Sequence, residues 1–165
     1  MKIEYVKLNV GDTAGIAQMS VLARQIVKEH YDPIIGSEQN DYMIDMFQSE
    51  AGIAQQLERG DEMFFVNQDN THIGYFAFYR RGNELYLNKL YLKKEYRGLG
   101  LSKSIIKFIA ERAAAMNLGS ITLNVNKHNG SIEIYRRLGF KIIRSEKNSI
   151  GHGYFMDDYV MELNV

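Results

Sequence analysis

Residues 90–103 constrain the fold of this chain more than any other part of its sequence. They read Leu-Tyr-Leu-Lys-Lys-Glu-Tyr-Arg-Gly-Leu-Gly-Leu-Ser-Lys. An apolar run typical of a strand leads into a glycine-rich turn, and the turn opens a segment with helical periodicity. Glycines permit a tight turn, and the first N–H groups of a helix have no partner within it. The stretch therefore predicts a strand–loop–helix unit that binds an anion, most often phosphate.

The charges beside these glycines support that interpretation, because Arg97 and Lys103 flank the turn. Other phosphate motifs fit less well. A Walker A loop needs Gly-Lys-Ser/Thr, and a dinucleotide fingerprint needs a third glycine where Lys103 stands. The structural alternative is a turn whose glycines only start a helix.

The remaining pattern predicts one α/β (α+β) domain over residues 1–165, ordered β-α-α-(α)-β-β-β-α-β-α-β-β. Strands are predicted at 3–8, 63–66, 73–79, 84–92, 121–125, 140–143 and 154–163. Helices are predicted from 12 or 13 to about 29, at 41–47, after Ser49, at 101–116 and at 131–138. Pro33 is expected to break the first helix. Hairpins combined with helical crossovers predict a mixed sheet with helices on both faces.

Composition excludes several classes of protein. Of 165 residues, 45% are hydrophobic and none is cysteine, so a core is expected and a disulfide scaffold or thiolate site is not. No signal peptide or apolar span is evident, so we expect a cytoplasmic protein without a membrane partner. A net charge of zero argues against nucleic acid. His128 and His152 form no recognisable metal pair, so no metal is expected.

The net charge of zero is a sum of two opposite regions. Residues 29–62 hold nine acidic side chains and one basic, a balance of −8. Residues 80–107 hold eight basic and two acidic side chains, a balance of +6. These regions are either two solvated surfaces or a cation site beside an anion site.

Two motifs resemble the GNAT superfamily of N-acyltransferases. Residues 97–102, Arg-Gly-Leu-Gly-Leu-Ser, resemble the family's Arg/Gln-x-x-Gly-x-Gly/Ala loop, with Ser102 in the last place. Residues 131–140, Ser-Ile-Glu-Ile-Tyr-Arg-Arg-Leu-Gly-Phe, resemble its Ala/Ser-Ile-x-x-Tyr-x-x-x-Gly-Phe element. The resemblance covers residues 84–145 well and implies a mostly antiparallel central sheet of about seven strands.

The resemblance implies acetyl-CoA as the cofactor. The loop amides would hold the pyrophosphate, and the strand end before the loop would pair with the pantetheine arm. The acetyl carbonyl would lie where this strand and the 121–125 strand splay apart. The implied cofactor-binding residues are Leu90, Tyr91, Leu92, Arg97, Gly98, Leu99, Gly100, Leu101, Ser102, Lys103, Asn129, Ser131 and Tyr135.

Direct acetyl transfer to an amine calls for a base, an oxyanion donor and an acid. By resemblance, Tyr135 is the acid, near the CoA sulfur, and the N–H of Leu92 or its neighbour is the oxyanion donor. Asn88 stands where many relatives carry an acidic residue. It cannot accept a proton but could order a water chain. The other base candidates are Glu84, Tyr91, His128 and His152.

One cofactor contact is ambiguous in the sequence. Relatives place an asparagine three residues before the serine that corresponds to Ser131. His128 occupies that place here, and Asn129 follows it. Either the helix start has shifted by one residue or His128 has taken over the role.

We expect the acceptor amine to be recognised by residues 29–45 and 151–158. Carboxylates stand beside aromatic residues in both stretches, a combination that suits a cationic amine. The layout is similar to bacterial polyamine N-acetyltransferases. We therefore expect acetylation of a small-molecule primary amine, such as spermidine. The alternatives are a protein N-terminus or lysine, an aminoglycoside, or a non-catalytic acyl-CoA-binding regulatory module. The aromatic sheet edges would permit a homodimer.

Overall fold

The structure is a computed structural model that describes residues 2–165. Its elements follow the predicted order. The strands are β1 (Ile3–Leu8), β2 (Glu62–Gln68), β3 (Thr71–Arg81), β4 (Glu84–Leu92), β5 (Ser120–Asn126), β6 (Lys141–Gly151) and β7 (Tyr154–Asn164). The helices are α1 (Thr13–Ile35), α2 (Ser37–Phe47), α3 (Glu50–Glu58), α4 (Leu101–Ala115) and α5 (Ser131–Arg137), with a short 3-10 turn at Lys94–Tyr96.

The strands form one seven-stranded sheet in the order β1-β2-β3-β4-β5-β7-β6. The β4–β5 pair is parallel, whereas β1–β2, β2–β3, β5–β7 and β6–β7 are antiparallel. The predicted mixed, mostly antiparallel sheet is confirmed. The chain divides into two compact units: residues up to Tyr79 together with Lys89–Leu99, and Arg80–Asn88 together with Gly100–Val165.

In the first unit, helix α1 packs its apolar stripe on one sheet face. The register pairs Met63 with Ala77 and Phe65 with Tyr75, which brings these four side chains to that face. They share a core with Leu8, Ile16, Met19, Leu22, Ala23, Ile26, Ile53 and Leu57. The side chain of Asp12 caps the helix by accepting from the Gly15 N–H at 2.9 Å.

The predicted break at Pro33 is wrong, because α1 continues through Pro33 to Ile35. Proline removes one N–H donor, and here the loss falls in the last helical turn. Asn40 of α2 joins α2 to the C-terminal part of α1 by donating to Val27 O at 3.1 Å and to Asp32 Oδ1 at 2.8 Å. The helix ends at Gly36, whose φ of 85° turns the chain into α2.

Two further boundaries differ from prediction. Helix α2 begins at Ser37 rather than near Asp41. Strand β6 extends to Gly151 rather than ending at Ile143, and most of its side chains are exposed. An exposed strand has little apolar alternation, which is why the sequence pattern missed its second half.

In the second unit, β5 is the central strand. It pairs with β4 only over Glu84–Tyr86 and with β7 over its whole length. Helix α4 has the predicted apolar face, since Leu101, Ile105, Ile109 and Ala113 are buried. Within residues 2–165, none of the helices has the length and hydropathy needed to cross a membrane.

Candidate active site

The glycine-rich loop has the backbone geometry that the sequence predicted. Gly98 has a φ of 77° and Gly100 a φ of 80°, in the left-handed region that side chains other than glycine rarely adopt. A Cβ at either position would meet no atom within 4 Å. The glycines are therefore required by backbone conformation, and the space beside them stays open.

The N-terminus of α4, which follows the loop, supplies donors for an anion. It carries no side-chain cap, and its first turn contains no acidic residue. The N–H of Ser104 bonds to Gly100 O at 3.3 Å, so the three amides before it have no partner within the helix. Unpaired amides at the positive end of a helix are the donor set that suits a phosphate or pyrophosphate group.

The two predicted basic side chains play different roles in this loop. The Arg97 Nε donates to Leu92 O at 3.1 Å, so the half-buried guanidinium ties the loop back to the end of β4. Lys103 is exposed on the first turn of α4. Arg97 therefore also shapes the loop, whereas Lys103 presents its charge to solvent.

The end of β4 is held tightly by β3. The Lys93 N–H donates to Ile73 O at 2.9 Å, and a Cβ at Gly74 would overlap the Tyr91 carbonyl oxygen. Glycine at position 74 therefore permits the close approach of the two backbones. Leu92 is buried, while Leu90 and Tyr91 are half-buried. These last residues of β4 lie beyond Tyr86, where its pairing with β5 ends.

Tyr91 belongs to an aromatic group in the first unit. Its ring centroid lies 6.3 Å from that of Tyr31 and 5.4 Å from that of Tyr75. The Tyr75 hydroxyl donates to Gln48 Oε1 at 2.9 Å, and burial raises the pKa of Tyr75 well above its usual value. Tyr91 as a base stays a prediction.

Lys89 is a buried residue that sequence reasoning did not single out. Only 3% of it is exposed, and its Nζ donates to Phe47 O and to Gln56 Oε1, both at 2.7 Å. Burial lowers its pKa to about 7, with Asp61 opposing the shift and Arg59 adding to it. Its charge was counted in the basic stretch, but it does not face solvent. Lys89 continues the series of alternate residues Leu85 and Leu87 on β4, and this spacing was the sequence signal that its side chain faces the core.

The acidic stretch is partly neutralised by cationic side chains of the same chain. Five of its nine carboxylates lie within 4 Å of a cationic side chain: Asp32 and Asp41 beside Lys28, Asp45 beside Arg24, Asp61 beside Arg59, and Glu62 beside Lys7. Its formal balance of −8 therefore overstates the field available to a cationic ligand.

Tyr135 lies on α5 in the second unit and is half-buried. Its ring meets Phe140 edge to face, with centroids 5.6 Å apart. The same helix begins beside Asn129, whose Oδ1 accepts from the Ser131 N–H at 2.9 Å. Asn129 is 5% exposed, whereas His128 is exposed and donates its backbone N–H to Asn126 Oδ1 at 2.9 Å. Asn129 is thus placed to order the start of α5.

The base candidates of the second unit are dispersed. Asn88 is half-buried on β4, two residues after Tyr86 and on the same face. Glu84 accepts from Arg81 Nε at 2.8 Å. His152 is exposed in the β6–β7 turn, with a φ of 53°. In the described part of the chain, no group of three or more His, Asp or Glu side chains could hold a metal ion.

A polar network links side chains of four strands, β4 to β7, and includes Tyr86, two residues before Asn88. The Tyr86 hydroxyl donates to Asn124 Oδ1 at 3.0 Å. The Nδ2 of Asn124 donates to Glu146 Oε2 at 3.2 Å and to Asp158 Oδ2 at 3.4 Å. Sequence reasoning named Asp158 only as part of an acceptor region, because strand pairing, not sequence proximity, unites these residues.

Comparison with known proteins agrees with this geometry. The model of the acetyltransferase (GNAT) domain matches residues 31–162, most of the chain. This chain belongs to the GNAT acetyltransferase family. The resemblance inferred from the loop and the α5 motif is therefore confirmed, and the chain carries a GNAT acetyltransferase domain.

Two curated relatives of this GNAT domain match part of its sequence. Thialysine N-epsilon-acetyltransferase from Bos taurus is 34% identical over 73 residues, 41% of this chain and 43% of the relative. The protein from Sus scrofa is 33% identical over 78 residues, 44% of this chain and 46% of the relative. The matches thus span less than half the length of these curated relatives.

Solved structures resemble the GNAT domain over its whole length. PaiA N-acetyltransferase from Thermoplasma acidophilum, in complex with coenzyme A, superposes with a TM-score of 0.80 at 23% identity and covers 100% of both chains. The ribosomal-protein-S18-alanine N-acetyltransferase from Escherichia coli has a TM-score of 0.69 at 16% identity, covering 99% of this chain and 94% of its own. At these identities the likeness shows the fold.

Proposed function

We propose that this GNAT domain transfers the acetyl group of acetyl-CoA directly to a primary amine. The observation that carries the proposal is the loop: two glycines of positive φ lead into the uncapped N-terminus of α4. That donor set suits a pyrophosphate. The structural relative from Thermoplasma acidophilum was solved with coenzyme A, which supports the same ligand here.

The residues proposed for the cofactor fall in three segments. Leu90, Tyr91 and Leu92 would offer backbone groups to the pantetheine arm at the end of β4. The loop residues Arg97, Gly98, Leu99, Gly100, Leu101, Ser102 and Lys103 would bind the pyrophosphate. Asn129 and Ser131 would complete the site at the start of α5, together with Tyr135.

The proposed chemistry needs no covalent enzyme intermediate. The amine attacks the thioester carbonyl, and the Leu92 N–H or its neighbour stabilises the oxyanion. Tyr135 donates its hydroxyl proton to the departing sulfur. Asn88 would orient the water or the amine, since its side chain has no group that accepts a proton at neutral pH.

For the acceptor we propose a small molecule with a terminal amine, such as a polyamine. The names of the bovine and porcine relatives specify acetylation of an ε-amine, which is a terminal primary amine. The half-buried Tyr31 and Tyr91 rings would suit a cationic chain. A protein N-terminus or lysine, or an aminoglycoside, is the alternative acceptor class.

Two measurements test the proposal in order. Acetyl-CoA should raise the melting temperature of the protein, whereas free adenosine should not. Thiol release should then be followed with spermidine, lysine, S-aminoethyl-cysteine, kanamycin and an N-terminal peptide, and we expect turnover with the small amines. Acetyl-CoA binding without thiol release from any amine would favour the non-catalytic module. Absence of acetyl-CoA binding would refute both functions.

We also propose a cytoplasmic protein, which a fractionation experiment would test. A homodimer remains a prediction, and the mass measured by light scattering would decide it.

A further inference from the structure

The reaction proposed above lacks a proton acceptor at its expected place. Asn88 occupies that place on β4, and an amide side chain does not take up a proton at neutral pH. A substitute should lie on the sheet face of Asn88, near the carboxyl end of β5. The search is confined to the second compact unit, to which Asn88 belongs.

The strand register identifies that face. Tyr86 and Asn124 share it, because the hydroxyl of one donates to the amide oxygen of the other. Alternate residues of a strand share a face, so Asn88 lies on the face of Tyr86 and Asn126 on the face of Asn124. Asp158 is directly opposite Asn126 in the antiparallel pair of β5 and β7. Asp158 therefore lies on the same face as Asn88.

Asp158 also lies at the appropriate end of the sheet. Asn126, its partner, is the last residue of β5. Because β4 and β5 run parallel from Glu84 to Tyr86, Asn88 lies toward the same edge of the sheet as Asn126. The pairing of β4 with β5 ends at Tyr86 and Thr122, before either strand does. Asp158 is thus beside the end of β5, beyond the last β4–β5 pair.

Asp158 and Glu146, its partner in the β6–β7 pair, have different environments, which shift their pKa values in opposite directions. Asp158 is 3% exposed, and burial is the largest cause that raises its pKa, with Asp157 and Glu146 adding to the rise and Asn124 and Lys127 opposing it. Hydrogen bonds, first from Arg144 and then from Asn124, lower the pKa of Glu146. Two carboxyl groups whose pKa values move apart are a common arrangement for acid–base work.

We infer that Asp158 accepts the proton released by the attacking amine, the task that Asn88 cannot perform. The inference rests on the proposed acetyl transfer. The amine nitrogen bonds to the acetyl carbon, and its proton passes through a water molecule to the Asp158 carboxylate. The carbon–sulfur bond breaks as the sulfur takes the Tyr135 proton. Asp158 then releases its proton to solvent and Tyr135 regains one, so the protons balance.

The test uses the full chain with acetyl-CoA and the best amine found in the thiol-release panel. Asp158→Asn removes the carboxylate and keeps the shape, and Asp158→Glu keeps a carboxylate. Glu162→Gln is the matched control, because Glu162 lies on the same strand and the same face, four residues further along. For each variant, kcat, KM for acetyl-CoA, the melting temperature and the pH profile of kcat/KM are measured.

We expect Asp158→Asn to lower kcat by about 100-fold or more, the usual worth of a general base. Its KM for acetyl-CoA should not change. Its melting temperature should hold or rise, because the variant no longer buries a carboxylate. The acid limb of the pH profile should vanish in Asp158→Asn and move in Asp158→Glu. Glu162→Gln should match the wild type in kcat and pH profile.

An Asp158→Asn variant that keeps kcat within twofold of wild type would overturn the inference. Equal loss of kcat in Asp158→Asn and Asp158→Glu at unchanged stability would also overturn it, since a carboxylate would then not matter. If Asp158→Asn fails to fold, the pH profile of kcat/KM for Asp158→Glu provides the test. An acid limb at the same pH as in the wild type would then contradict the proposed role. Failure of the wild type to acetylate any amine would instead count against the proposed function.

Discussion

The Nζ of Lys89 lies 2.7 Å from the carbonyl oxygen of Phe47, the last residue of helix α2. The last carbonyls of a helix have no intrahelical partner and lie at the negative end of its dipole. Gln56 Oε1 is the second acceptor, at 2.7 Å. A neutral amine has two N–H donors for these two acceptors, so the contact persists when Lys89 loses its proton.

This burial predicts a pH-dependent stability. Because the pKa of Lys89 falls from 10.5 to about 7 in the folded protein, the unfolded chain holds more protons between those two values. The free energy of unfolding should therefore rise with pH in that window, by about 5 kcal/mol from this residue alone. Below pH 7 both states are protonated, and the contribution becomes constant.

Other groups titrate in the same range, so the measurement compares variants. Urea unfolding of wild type, Lys89→Met and Lys94→Met between pH 6 and 10 isolates the effect, since Lys94 is exposed. The difference between wild type and Lys89→Met should grow with pH in favour of the wild type. A parallel pH dependence in these two proteins would refute a depressed pKa at Lys89.

Gly100→Ala should weaken acetyl-CoA binding. The φ of 80° at Gly100 disfavours alanine by about 1–2 kcal/mol, so the loop would have to change to relieve the strain. Losing one amide–phosphate hydrogen bond should weaken binding by roughly 10- to 100-fold. Isothermal titration with acetyl-CoA measures the effect.

Gly60→Ala is the control for Gly100→Ala. Gly60 also has a positive φ, 104°, and open space around its Cβ position, but it lies between α3 and β2. Both variants should lose similar stability, and only Gly100→Ala should lose acetyl-CoA affinity. Equal affinities in the two variants would show that the loop does not bind the cofactor.

Tyr135→Phe should lower kcat by about 100-fold without weakening acetyl-CoA binding, because it removes only the hydroxyl that would protonate the sulfur. The edge-to-face contact with Phe140 is retained, so the melting temperature should stay near that of wild type. Stopped-flow thiol release checks the rate, with Tyr159→Phe as the control. An unchanged kcat across pH would remove Tyr135 from the acid role.

Substitutions of Asn129 separate its two possible roles. Asn129→Asp keeps an oxygen that accepts from the Ser131 N–H, whereas Asn129→Ala loses it and should cost about 0.5–2 kcal/mol of stability. If the role is only to order the start of α5, Asn129→Asp should bind acetyl-CoA as wild type does. Weaker binding by Asn129→Asp, with normal stability, would assign Asn129 a direct contact with the cofactor.

Much of the fold was readable from local signals. The strand at Glu84–Leu92 and the helix that begins at Leu101 were predicted with little error because apolar periodicity and glycines mark their limits. The second half of β6 was missed because its side chains are exposed. Pro33 was read as a helix break, but proline in a last turn removes only one donor.

The candidate site also combines features that the sequence showed with features that only the tertiary structure creates. The loop glycines and the family membership follow from residues adjacent in sequence, since chain connectivity alone brings them together. The setting of Lys89 against Phe47 and that of Asp158 against Asn124 depend on strand pairing and helix packing between distant segments. Burial then decides their proton affinity, because removal from water penalises the charged form. The sequence by itself thus determined the family and the glycine-rich loop before α4. Only the tertiary structure decided which lysine is buried and which carboxylate is buried on the sheet face of Asn88.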